Sequence, residues 1–307
     1  DITIFEKSTK VGGRISVRLS REFEFDHGAQ FFTAKDKKFR SFLKPFIDRE
    51  VVKQWSARFV EINGSQIDFH SKWGAEFPHY IGTPAMNSFL ESLSRNAQLV
   101  FEKKVEVIKP CDGLWELYDK DRKSLGCFDW VISAVPAPQA NEILPEVFDF
   151  RDIISEIEMS ACFSLMIGFK GPVELEFDAA IVKNSDISWI SLNSSKPDRM
   201  GKPSVLVHSS DKWADKNIGI EPERASHHLL NTLSNTIDLP VDNLAFKDLK
   251  FWRYANVSKQ KSNQVFLDVA NRLGACGDWC IEGTVEAAFQ SGESIAKELL
   301  PYLKERE

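Results

Sequence analysis

Apolar positions recur along this chain in two rhythms, and each rhythm predicts an element. Period-two stretches come first. "ITIFE" (2–6) is β-branched and aromatic and reads as a strand. "EFEFDHGAQFF" (22–32) sets Phe23, Phe25 and His27 on one face, then reaches a glycine, as a strand running into a turn does. Residues 39–55 carry a helical pattern interrupted near Pro45. Residues 83–96 predict a helix with Thr83 as N-cap, Pro84 in the first turn, and Met86, Phe89, Leu90 and Leu93 as its stripe. Three strands at 99–108, 114–119 and 126–135, separated by turn residues, predict a β-meander. Further strands are expected at 163–169 and 204–210, with a helix over 222–237. A last strand, 272–279, leads into a helix over 284–300. Its expected buried face is Val285, Ala288, Phe289, Gly292, Ile295, Ala296 and Leu299.

Composition narrows the class. At 307 residues the chain holds one or two domains, and 43% apolar with 27% charged residues is ordinary for a globular protein. A net charge of −6 gives no electrostatic grip on nucleic acid, so no nucleic-acid partner is expected. The longest uncharged apolar run, 159–169, is too short to span a membrane. The five cysteines (Cys111, Cys127, Cys162, Cys276 and Cys280) are odd in number and irregular in spacing, which argues against a disulfide framework. Cys276 and Cys280 have no histidine at zinc spacing, so no metal site is expected. Reduced thiols without a visible leader fit a cytoplasmic protein.

The first strand ends on an acid, Glu6. In a dinucleotide-binding unit, an acid at the end of the second strand accepts hydrogen bonds from ribose hydroxyls, about 20 residues after a glycine-rich turn. No G-x-G-x-x-G occurs in the chain. The expectation is therefore that a strand, glycine loop and helix would precede residue 1, leaving an unpaired edge or gap beside residues 2–6. The plain alternative is that Glu6 only terminates an edge strand.

The next stretch, "EKSTKVGGR" (6–14), resembles the continuation found in flavoproteins of the amine-oxidase superfamily. The resemblance implies FAD. It places Gly12 and Gly13 close to the pyrophosphate and Arg14 near its phosphates. "GDWCIEGTVEAAFQSGESIA" (277–296) is similar to the C-terminal FAD motif of that superfamily. This implies that Gly277 and Asp278 serve the ribityl chain and that the helix from about Thr284, with Val285, aims its N-terminus at the flavin, where reduced flavin carries negative charge. "VEVIKP" (105–110) resembles the strand whose Val105 contacts the adenine region. "DWVISAVPAPQA" (129–140), with Ala134, resembles the return beneath the cofactor, its turn at Ser133 to Pro136. "FDHGAQFFT" (25–33), with Gly28 and Ala29, resembles the segment passing the isoalloxazine.

Within the superfamily, "DHGAQFFTAKDKKF", "HSSDKWA" (208–214) and "KFWRYANV" (250–257) resemble segments of renalase-like proteins. The implied activity is hydride transfer from a small substrate, a dihydronicotinamide isomer, to flavin, with dioxygen as the final acceptor. His27 and Gln30 are then candidates beside the ring, and Trp213, Arg253 and Tyr254 candidates for substrate, Arg253 anchoring an anionic group. Such chemistry requires no protein nucleophile. Each aromatic or histidine could equally be a core residue. Two rivals stay open. One is an oxidase of the same fold acting on amines or on lipid-like or tetrapyrrole compounds. The other is a flavin-fold protein that only binds a partner. The implied fold is α/β, an FAD-binding Rossmann-like domain (1–38, 97–140 and 258–307) interleaved with a mixed-sheet substrate domain (39–96 and 141–257).

Overall fold

The long apolar runs of the chain become the interior strands of one seven-stranded sheet. The computed structural model describes residues 1–307 apart from Arg21, Arg95, Asn96, Pro240, 262–264 and 304–307. Its strands run in the order Leu244–Val257, Met159–Phe169, Ser204–Ser209, Ile187–Leu192, Ala179–Lys183, Arg58–Asn63 and Gln66–Lys72. The sheet is mixed. Ala179–Lys183 pairs in parallel with Arg58–Asn63 and antiparallel with Ile187–Leu192. Met159–Phe169 lies between two neighbours and is buried from Ala161 to Phe169, as expected of a strand with no polar face. Helix Pro222–Thr236 packs Ala225, Leu229 and Leu233 into the same core as Leu165, Ile190 and Val207. Each leucine so buried contributes up to roughly 1.5–3 kcal/mol.

The chain divides into two compact units: Asp1–Lys10, Ser94–Met159 and Val257–Glu307 form the first, and Val11–Leu93 with Ser160–Asn256 the second. These seams differ from the expected boundaries at 38 and 140. Residues 11–38 join the second unit because hairpin Arg18–Ser20/Phe23–Phe25 packs there, Phe23 and Phe25 clustering with Met166, Leu206 and Phe246. Residues 141–159 join the first unit through Leu144, Phe148 and Ile154.

In the first unit, Thr3–Phe5 pairs in parallel with Gln98–Val100, and among the described residues no strand pairs its other edge. A second sheet orders Val131–Ser133, Leu273–Ala275 and Phe266–Asp268, the first two parallel. The expected meander is present as Val107–Cys111, Leu114–Tyr118 and Ser124–Phe128. Helix Val285–Leu303 comes last.

Several local expectations change. Helix Lys37–Asp48 runs through Pro45 rather than breaking there. Asp36 caps its start, and Phe39, Leu43 and Phe46 hold it to the core. Thr83 is not an N-cap: its hydroxyl donates to the Glu50 carbonyl, and the helix is only Ser88–Leu93, with residues 95–96 outside the described residues. The strands expected at 99–108 and 126–135 each split in two, at 101–106 and at 129–130. The final helix is rotated from its expected face. Glu286, Ala287, Ser291 and Ile295 are buried, while Ala288 and Ala296 are exposed. The reason is polar: the Ser291 hydroxyl accepts the Gly277 amide at 3.0 Å, turning that side inward.

Candidate functional site

In the second unit the glycine pair makes a tight turn. Gly12 has φ 140° and Gly13 φ 51°, both costly for residues with a side chain. A Cβ on Gly12 would also lie 3.1 Å from Cβ of Asn87, whose amide donates to the Val11 carbonyl at 3.0 Å. The chain then forms a short 3-10 turn, Gly13–Ile15. Arg14 anchors this turn. One guanidinium N–H donates to the Ala255 carbonyl at 3.1 Å, and its own carbonyl accepts the Ala29 amide at 2.9 Å. Gly28 sits flush on that carbonyl: a Cβ there would fall 1.9 Å from the Arg14 oxygen. The "GGR" and "DHGAQ" segments, separate in the sequence, are thus one packed element.

Behind this element lies a sealed charge cluster that sequence reasoning missed. Asp26, Lys196 and Arg199 are all buried. Lys196 Nζ lies 2.9 Å and Arg199 Nη2 2.8 Å from Asp26 Oδ2. Burial pushes the Asp26 carboxyl up, but the two cations outweigh it and hold it below the usual range. Burial brings Lys196 down to about 8, against the pull of Asp26. Lys196 also stands 5.2 Å from the Trp55 ring centroid. The only trace in the sequence is two bases bracketing a proline in "SKPDR", a pattern with no periodicity to flag it.

Gln30 is clamped by its neighbours. Its amide nitrogen donates to the carbonyls of Asp26 and Gly28, and its oxygen accepts from Ser191 Oγ at 2.8 Å and Lys196 Nζ at 3.1 Å. That exhausts an amide's capacity, so Gln30 fixes the loop rather than offering a hydrogen bond to another molecule. His27 is 7% exposed. Its carbonyl accepts from Ser164 Oγ at 2.7 Å and Trp252 Nε1 at 2.9 Å, and its ring lies 5.2 Å from that of Trp252. Burial, then Lys250 and Arg18, push its pKa down to about 4, so it is neutral at pH 7. Trp213 belongs to the core, stacked on His228 at 4.9 Å and edge-on to Phe163. Arg253 is exposed, its guanidinium 5.8 Å from the Tyr254 ring.

In the first unit, Glu6 ends its strand, and Oε1 accepts the Ser8 amide at 2.7 Å. Strand Val131–Ser133 ends at Ser133, whose carbonyl accepts the Cys276 amide at 2.9 Å. Trp279 ties the next turn down by donating from Nε1 to the Val135 carbonyl at 2.9 Å. Its indole lies against Gly277, where a Cβ would sit 2.4 Å from that nitrogen. Asp278 is buried at the start of the 3-10 turn Asp278–Cys280. Thr284 caps the final helix, its Oγ1 accepting the Ala287 amide at 3.1 Å. Val105 and Val285 are half-buried and Ala134 is exposed.

Taken unit by unit, the residues present are compatible with a dinucleotide cofactor. In the first unit the buried hydroxyl of Ser133 has no partner in the protein; in the second the same holds for Nδ1 of His27, as it does for atoms outside the FAD-like segments such as Trp55 Nε1 and Trp189 Nε1. Buried polar atoms without partners are rare and call for a ligand or water. Glycines 12, 13, 28 and 277 stand where the backbone turns or packs too closely for a side chain.

The sequence matches the family described as flavin containing amine oxidoreductase over residues 63–300, more than half of the chain. Solved structures share the fold. A protein assigned as a protoporphyrinogen oxidase from Exiguobacterium sp. 255-15 aligns with a TM-score of 0.69 at 9% identity, over 97% of this chain and 93% of that one. An oxidoreductase from Methanosarcina mazei gives 0.66 at 12%, over 97% and 94%. Putrescine oxidase bound to putrescine gives 0.64 at 9%, over 97% and 93%. At these identities the likeness establishes the architecture.

Proposed function

Because the chain belongs to the flavin-containing amine oxidoreductase family, and is accordingly an FAD-dependent oxidoreductase, we propose that it oxidises a small reduced nicotinamide nucleotide, with dioxygen as the final electron acceptor. Membership makes the protein an enzyme, so the non-catalytic, partner-binding alternative is set aside.

The observation that carries the reading is the convergence on His27. The three segments that resemble renalase-like proteins meet there. Trp252, from "KFWRYANV", bonds the His27 carbonyl, and His208, from "HSSDKWA", lies within electrostatic reach of the His27 ring. Burial and Lys196 bring His208 down to about 4 as well. Two neutral imidazoles suit hydride chemistry, which consumes no protein acid or base. Burial is the main cause that lowers His27; Lys250 and Arg18 add to it and Asp26 opposes them.

FAD, when bound, supplies the hydride acceptor. The residues do the rest. In the first unit Glu6, Ser133 and Asp278 offer acceptors and a hydroxyl to the cofactor, and Val105, Ala134, Gly277 and Val285 offer contact surface. In the second, Gly12 and Gly13 allow close backbone approach beside Arg14, while Gly28 and Ala29 lock the 26–30 loop that carries His27. Five free thiols suit a reducing compartment, the cytoplasm. No helix among the described residues is long and apolar enough to cross a membrane.

The test is anaerobic reduction of the FAD-loaded full-length protein. Isomeric dihydronicotinamide mononucleotides should bleach the flavin within seconds, and admitted air should restore it with one peroxide per turnover. Bleaching by putrescine or protoporphyrinogen instead would overturn the nicotinamide assignment while leaving the family intact.

A further inference from the structure

The outer face of the β-meander in the first unit carries a group of side chains that oxidation chemistry does not use. In the central strand Leu114–Tyr118, Trp115 and Leu117 are buried in the core, so Leu114, Glu116 and Tyr118 point the other way. Cys111 pairs with Leu114 in one flanking strand, and Cys127 pairs with Glu116 in the other. Register therefore places both thiols on the Glu116 face. The two sulfurs are 3.9 Å apart, and one ligand atom each from Cys111, Glu116 and Cys127 lies within 4.8 Å of the other two. The Tyr118 hydroxyl donates to Glu116 Oε2 at 2.6 Å, fixing the carboxylate.

The Cys127 thiol donates to Cys111 Sγ; two sulfurs this close can also be joined by a disulfide or by a shared ion. A disulfide would have to draw the two outer strands of the meander together across the central one, since the cysteines stand on strands separated by a third and the sulfurs would have to close from 3.9 Å to about 2.0 Å. An ion leaves the sulfurs where they are. Two thiolates on a tetrahedral centre with metal–sulfur bonds of about 2.3 Å lie roughly 3.8 Å apart, matching the distance seen here.

We propose that Cys111, Glu116 and Cys127 bind one thiophilic divalent cation of the zinc class, with Tyr118 positioning the carboxylate and water completing four-coordination. Two thiolates select such an ion over magnesium or calcium, which take oxygen ligands. Binding releases the two thiol protons and involves no electron transfer. By linking the outer strands of the meander to its centre, the ion stabilises the folded sheet, since it binds the native arrangement alone. The sequence concealed the site. Cys111 and Cys127 match no local zinc spacing, and the expectation of no metal rested on Cys276 and Cys280. Strand pairing creates the ligand set.

Cobalt(II) titration of the full chain reads the site directly. One equivalent should produce thiolate-to-cobalt charge-transfer absorption together with tetrahedral visible bands, both displaced by zinc. Cys111→Ser and Cys127→Ser should each abolish the charge-transfer pattern of the pair, and Tyr118→Phe should weaken zinc binding by about tenfold or more. Cys276→Ser should leave the titration unchanged. Should Cys111→Ser not fold, Cys127→Ala reports on the same pair. Absence of the thiolate band in wild type, its persistence in Cys127→Ser, or a Cys111–Cys127 disulfide formed in air would overturn the assignment.

Discussion

Nζ of Lys196 lies 2.9 Å from Oδ2 of Asp26, and both side chains are sealed from water. Arg199 reaches the same oxygen at 2.8 Å, so one carboxylate holds two buried cations. The cluster grips the 26–30 loop twice, through Asp26 itself and through the Lys196 bond to Gln30.

Asp26→Asn should therefore be among the most damaging single changes in the second unit. It removes the acid of the cluster and leaves Lys196 and Arg199 without a counter-charge, held by the neutral oxygens of Gln30, Gly82 and Pro84. Removing one partner of a buried pair costs about 3–5 kcal/mol. Urea denaturation should show that loss. A change below about 1 kcal/mol would mean that the cations find water or another acceptor.

Acid should destabilise the fold in a defined window. His27 and His208 each have a folded pKa of about 4 against 6.5 for the free side chain. The unfolded chain binds more protons between these values, so stability rises with pH there. It is lost as pH falls from about 6.5 towards 4, by up to about 1.4 kcal/mol per pH unit per histidine. Melting temperatures across that range should fall steeply in wild type and less steeply in His208→Gln. Parallel curves would show that carboxylates, not these histidines, set acid lability.

Gly28→Ala and Gly171→Ala form a matched pair. The first puts a methyl 1.9 Å from a backbone oxygen that cannot rotate away, whereas nothing lies within 4 Å of a Cβ on Gly171. Gly28→Ala should cost about 1–3 kcal/mol by overpacking and lower FAD affinity by shifting the loop. Gly171→Ala should stay within about 0.5 kcal/mol of wild type. Thermal melts with and without FAD distinguish the two effects.

Glu6→Gln keeps the size of the side chain and removes its charge. If Glu6 accepts ribose hydroxyls, the change costs about 1–3 kcal/mol of cofactor binding, roughly a tenfold to hundredfold weaker Kd. The amide oxygen can still accept the Ser8 N–H now held by Oε1, so the apo-protein should melt nearly unchanged. Flavin titration and apo melting on the full-length protein would expose Glu6 as a mere strand terminator if affinity held and melting fell.

The sequence alone determined what local chemistry controls. The strand at 2–6, the meander, the helix over 222–237 and the final helix each arise from periodicity and turn residues within one short window. The glycine turns were legible too: Gly12 takes a φ of 140°, and a Cβ on Gly28 or Gly277 would meet an atom at 1.9 or 2.4 Å. Tertiary structure decided everything that depends on which windows meet. Thr83 gives its hydroxyl to Glu50, far back in the chain, and so caps no helix. The final helix turns Ser291 inward because Gly277 needs an acceptor. Asp26 finds Lys196 and Arg199 across the fold, where two lone bases in a loop carried no signal. Cys111 and Cys127 meet because the register of both outer strands against Leu114–Tyr118 puts the two side chains on one face. A chain records its own periodicities locally, but contacts between distant segments depend on register and packing, which only the folded whole fixes.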